Sequence, residues 1–125
     1  MSIQVKRVYE AAADSDGYRV LVDRLWPRGV SRQDAKIDLW LKDIAPSTEL
    51  RKWFNHDRMK WDEFRERYSR ELDSQPDTVK QLADLVHERT VTLIYSAKDT
   101  TYNQAVALKE YLHRHASNTA STSST

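Results

Sequence analysis

A chain of 125 residues has room for one domain with one modest core, which excludes an enzyme built from separate cofactor and substrate domains. Lys and Arg number 20 against 19 Asp and Glu, a formal charge of +1, so no bulk field favours nucleic acid or an anionic membrane as partner; the absence of Cys removes disulfides, thiolate metal sites and a cysteine nucleophile. Four Trp and six Tyr place much of the buriable area on rings that carry a polar atom, which suit a wall between core and cleft.

From the N-terminus, Ile3 to Tyr9 alternates apolar and polar residues and reads as a strand, followed by a turn holding Asp14, Asp16 and Gly17. Tyr18 to Leu25 has a β-branched apolar centre and reads as a buried strand, ended by the rigid Trp26-Pro27-Arg28-Gly29 because Pro cannot continue a central ladder. Ser31, with Asp34 three residues on, resembles an N-cap, so Arg32 to Lys36 is expected as a short helix before an extended Leu39-Trp40-Leu41. Ser47 caps a helix that runs to about Asn55. From Asp57 a longer helix is expected, because Trp61, Phe64, Tyr68 and Leu72 fall at spacings of three, four and four with charged residues on the other side.

Gln75-Pro76 breaks that helix, and another is expected from about Asp77 to Arg89 with Val79, Leu82, Leu85 and Val86 inward. Thr90 to Tyr95 reads as a strand, and a last helix runs from about Asn103 to His115. Residues 116–125, SNTASTSST after Ala116 begins the segment, are Ser/Thr-rich with little to bury and are expected as a flexible tail. Neither a signal-peptide run nor a stretch of about 20 apolar residues is present, so the expected compartment is the cytoplasm.

Three expected strands stop abruptly at charged pairs: Asp23-Arg24, Lys42-Asp43 and Lys98-Asp99. With helices between them the strands are expected to be parallel, so these ends share one sheet edge, where open α/β folds bind ligands. The competing reading makes each pair the first solvated residues beyond a strand, neutralising one another. Arg28 in a Pro-Gly turn beside Trp26 is fit to hold an anion, and the helix start at Ser47, with Arg51 one turn on, offers free N–H groups; a packed turn and an ordinary N-cap are the plainer readings. His56 beside Asp57 is a candidate general base. His113 and His115 point to different helix faces and His87 stands alone, and no phosphate-loop, dinucleotide or serine-elbow motif occurs, so no metal and no cofactor are expected.

DRLWPRG (Asp23 to Gly29), Trp40, Lys42, APS (Ala45 to Ser47), LRKWFNHD (Leu50 to Asp57), the Trp61, Phe64, Tyr68 series and LIYSAKD (Leu93 to Asp99) together resemble the YeaO-like family, a domain of unknown function also called DUF488. The resemblance spans nearly the whole chain apart from the tail, and Ser96 departs from the Ala or Gly more usual there. It implies a small cytoplasmic α/β protein and supplies no substrate, reaction or catalytic assignment.

The expectation is therefore one α/β domain over residues 1–115, a small, largely parallel sheet of about four strands flanked by helices, with a cationic, aromatic-lined cleft at the strand ends. Arg24, Trp26, Arg28, Lys42, Ser47, Arg51, Trp53 and Lys98 are the candidate ligand-binding residues, and Asp23, His56 and Asp99 the candidate proton-transfer groups. The expected partner is a small anionic, nucleotide-like or phosphorylated ligand. A nucleic-acid-binding protein and an interaction module held by an ion-pair network are the alternatives, the former disfavoured by the near-zero charge.

Overall fold

In the computed structural model, β1 (Ile3–Arg7), β2 (Tyr18–Leu21), β3 (Leu39–Trp40) and β4 (Val91–Tyr95) form a four-stranded sheet in the order β1-β4-β2-β3, with every pairing parallel. The structure describes residues 2–123, with side chains as far as residue 115; the expected tail, 116–125, lies outside the residues described in that detail. β4 and β2 are the two interior strands; along β4, Leu93 lies opposite both Val5 and Val20, and all five of its residues are buried. A strand covered on both faces has no reason to alternate, which is why Val91 to Tyr95 is so nearly uninterrupted in apolar character.

The two faces are covered unequally. Val91, Leu93 and Tyr95 join Ile3, Val20 and Val22 in the main core, against α2 (Thr48–Phe54), α3 (Trp61–Asp73), α4 (Pro76–Glu88) and α5 (Gln104–Ser123). Ile94 and Leu21, whose side chains point the opposite way, pack with Val8 and Ala35 under Trp26, Val30, Ile37 and Trp40. That second face has a single four-residue helix, α1 (Arg32–Ala35), and the loops beside it.

α3 carries the aromatic stripe expected of it: Phe64, Tyr68 and Leu72 are buried, the Phe64 ring stacks on Phe54 of α2 at 4.4 Å, and the Tyr68 hydroxyl donates to the Ile44 carbonyl at 2.6 Å. The helix does not begin at Asp57. Asn55 and His56 hold left-handed conformations, φ 46° and 56°, which end α2, and the Asp57 carboxylate accepts the Met59 N–H to cap a separate 3-10 turn, Arg58–Lys60. α3 follows from Trp61.

Charge is buried at the N-terminal edge of the sheet. Asp16, 4% exposed, is bonded by Lys6 at 3.0 Å and by Arg19 at 2.6 Å, and Arg19 in turn donates to the Ala35 carbonyl at the end of α1. This cluster anchors the crossover from β1 to β2, ten residues (8–17) with a 3-10 turn in place of an α-helix.

Candidate functional site

The four strands point their C-terminal ends to one edge. Beyond β2 the chain turns towards α1 on the thinly covered face, and beyond β4 it turns into α5 on the helical face. Adjacent strands whose continuations part to opposite faces leave a crevice between them, the position at which open α/β sheets take ligands. Here the crevice is a cleft of about 880 Å³.

Its floor is a hydrogen-bonded cluster of three residues, one just beyond β2, one just beyond β4 and one at the start of α5. Asp23, 8% exposed, accepts the Ser96 N–H at 3.1 Å and the Ser96 hydroxyl at 2.5 Å on one carboxylate oxygen, and the Gln104 side-chain amide on the other. Burial pushes the Asp23 carboxyl above the usual aspartate range, against the opposing pull of the Ser96 hydrogen bonds, the Arg51 charge and Gln104. Trp40 fixes the backbone below, donating its indole N–H to the Asp23 carbonyl at 2.8 Å.

One wall is the loop Arg24 to Arg28. Arg24 lines the cleft, but its guanidinium donates to the Ala45 and Pro46 carbonyls at 3.2–3.4 Å and so pins the exit of β2 to the segment before α2. Trp26 donates to the Val30 carbonyl at 2.7 Å and meets Trp40 edge-on at 5.4 Å. Tyr9 donates to the Arg28 carbonyl, leaving the Arg28 side chain exposed at the cleft.

The opposite wall is the C-terminal end of α2, with Arg51 and His56, and the loop from Ser96 to Asn103. Arg7 holds that loop through the Ala97 carbonyl at 2.8 Å. Asp99 lines the cleft as a turn-former: one oxygen accepts the Thr101 and Tyr102 N–H groups, which hold its carboxyl below the usual range, and the other meets Arg58 at 3.3 Å. Lys98 beside it is exposed.

Of the residues singled out from the sequence, Asp23, Arg24, Trp26, Arg28, Arg51, His56, Lys98 and Asp99 all border this cleft. Lys42, Ser47 and Trp53 do not. Lys42 lies over the Trp40 ring at 4.1 Å; Ser47 caps α2 and donates to Glu71; Trp53 is flanked by Arg67 at 4.3 Å and Lys60 at 5.1 Å. Their nearness to basic or helix-start residues thus reflects packing and capping. Asp57 is spent on the 3-10 turn and, among the described residues, no carboxylate bonds the His56 ring. Nor do the three charged strand-end pairs neutralise themselves: among the described residues no ion pair joins Asp23 to Arg24, Lys42 to Asp43 or Lys98 to Asp99. Gln104 and Tyr9, both in the cleft, gave no sequence signal, and Ser96 stood out only as a departure from the usual small residue.

A family model described as "Inactive DUF488-N3 subclade" matches residues 2–125. The chain belongs to this DUF488 family. It is 51% identical over 112 residues to the "Uncharacterized protein YeaO" of Escherichia coli (strain K12), covering 90% of this chain and 97% of that protein. It is 38% identical over 111 residues to the "Uncharacterized protein Rv3073c" of Mycobacterium tuberculosis (strain ATCC 25618 / H37Rv), covering 89% and 93%. No solved structure matches. Among the described residues no helix is long and apolar enough to cross a membrane.

Proposed function

We propose that this DUF488 protein is a binding domain for a small anionic, phosphorylated molecule held in the cleft at the strand ends. One observation carries the reading: Arg28, Arg51 and Lys98, from three separate segments, border one cleft, and among the described residues none of them is in an ion pair. Cations held outside ion pairs around a concavity raise the local concentration of anions, and the low-dielectric walls strengthen the attraction. Tyr9, Trp26 and Tyr102 also line the cleft, each with one guanidinium of the chain, Arg7, Arg32 and Arg58 respectively, over its ring. The word "inactive" in the family description favours binding over turnover, as does an Asp23 whose two oxygens are both engaged by its own chain.

Thermal shift against nucleotides, sugar phosphates and nucleosides tests this. A bound anion at a hundred times its dissociation constant stabilises the fold by about 2.7 kcal/mol, a readily visible rise in melting temperature, and Arg28→Ala or Lys98→Ala should diminish it. No stabilisation by any anion ends the proposal. Salt-sensitive retention of labelled DNA or RNA, with no response to small anions, would replace it with nucleic-acid binding.

A further inference from the structure

Cations at the cleft mouth account for an anion and leave its floor without a part. Asp23, Ser96 and Gln104 border the same space. An ionised carboxylate offers about four lone-pair positions. Three are filled here: the Ser96 N–H and hydroxyl occupy one oxygen of Asp23, and the Gln104 amide occupies the other, Oδ1. Oδ1 therefore has room for one further donor. The orientation of Gln104 follows from chemistry, since a carboxylate oxygen must be met by the NH2 end of the amide. Its Oε1 then points away from Asp23; among the described residues it has no donor, and it is not sealed from solvent.

Two acceptors, Asp23 Oδ1 and Gln104 Oε1, thus lie one amide apart on two residues that line the cleft, held in register by the bond between the two side chains. A pair of fixed acceptors selects a pair of neighbouring donors. An ammonium group would suit the carboxylate but is repelled by Arg28, Arg51 and Lys98 around it, which favours neutral donors, and the vicinal hydroxyls of a sugar set two of them side by side. Resting on the anion-binding reading above, we infer that the ligand is a phosphorylated sugar whose adjacent hydroxyls are read by Asp23 and Gln104 while its phosphate meets the cations.

Calorimetric titration of the full chain with ribose 5-phosphate, 2-deoxyribose 5-phosphate and inorganic phosphate tests this. Ribose 5-phosphate should bind about tenfold or more tighter than its deoxy analogue, the effect of one hydrogen bond to a charged acceptor. Gln104→Ala and Asp23→Asn should each remove the difference between the two sugars; the wild-type comparison stands by itself if either variant folds poorly. If phosphate or a nucleotide binds while the two sugars bind equally or not at all, the hydroxyl-reading floor is wrong and anion binding survives. If no anion binds, both readings fall together.

Discussion

Ser96 donates its backbone N–H and its hydroxyl to the same carboxylate oxygen of Asp23, so the first residue beyond β4 is tied to the second beyond β2 across 73 residues of chain. Because those two strands send their continuations to opposite faces, this contact closes the bottom of the crevice that their divergence opens. It also places a carboxylate where its ionisation is disfavoured by burial, among groups that the fold alone does not need to be charged.

The first prediction follows from that burial. Asp23 has its carboxyl raised above the ordinary aspartate range, so the protonated form contributes stability that is full below the unfolded-state value and is lost as pH rises through the elevated folded value. At neutral pH the protein therefore carries a desolvated carboxylate. Asp23→Asn keeps an acceptor for Ser96 and a donor for the amide oxygen of Gln104, and should match or exceed the wild-type melting temperature at neutral pH, its advantage shrinking as the pH falls. Carboxyl carbon shifts followed by NMR locate the titration directly; a midpoint at or below that of an unperturbed aspartate would refute the assignment.

Asp16 should show the opposite sign. Burial works against its charge, but the Ala13 N–H, Lys6 and Arg19 outweigh it and hold the carboxyl below the usual range. Its contribution is thus present above the unfolded-state value and lost as pH falls through the depressed folded one. Asp16→Ala leaves Arg19, whose side chain is 5% exposed, without its counter-charge, and is expected to cost about 3–5 kcal/mol in urea unfolding. A loss below about 1 kcal/mol would mean that water compensates the guanidinium.

What was legible from the sequence was whatever repeats at short range. The spacing of Trp61, Phe64, Tyr68 and Leu72 gave α3, the largely apolar run from Val91 to Tyr95 gave β4, and helices between strands required the parallel sheet whose shared edge holds the cleft. The start of α3 was missed because Asp57 caps a separate 3-10 turn, Arg58–Lys60, which local spacing does not distinguish from the first turn of the α-helix behind it. Gln104 was invisible for a different reason: its partner Asp23 lies 81 residues away, and no local pattern encodes such a pairing. Lys42 and Trp53 misled in the reverse direction, since a cation beside an aromatic looks the same in sequence whether the ring awaits a ligand or packs under that cation.

The two glycines separate steric need from conformational need. Both have positive φ, 66° at Gly17 and 74° at Gly29, but a Cβ at Gly17 would collide with the Thr90 carbonyl oxygen that also accepts the Tyr18 N–H, whereas one at Gly29 would meet nothing. Gly29→Ala should lose only the left-handed penalty, about 1–2 kcal/mol. Gly17→Ala adds displacement of the β2–β4 pairing at its first residue and should lose distinctly more. Equal losses in denaturant unfolding would show that the Gly17 turn can shift freely.

Ser47 supports the last prediction, which turns a residue first weighed as an anion contact into a structural clamp. Its hydroxyl accepts the Leu50 N–H at the start of α2, and its own N–H and hydroxyl donate to the two oxygens of Glu71 on α3, at 2.8 and 2.6 Å. A helix start already satisfied by a carboxylate from its own chain has no vacancy for a second anion. Hydrogen bonds to a charged acceptor are worth about 1.5–3 kcal/mol, so Glu71→Gln and Ser47→Ala should each lose on that order, Ser47→Ala including about 1 kcal/mol for the cap. Because both changes act on the bond from the Ser47 hydroxyl to Glu71, the double variant should lose clearly less than the sum of the two. Strict additivity in a double-mutant cycle would mean that the clamp contributes nothing in solution, and would return the α2 start to the set of open anion sites.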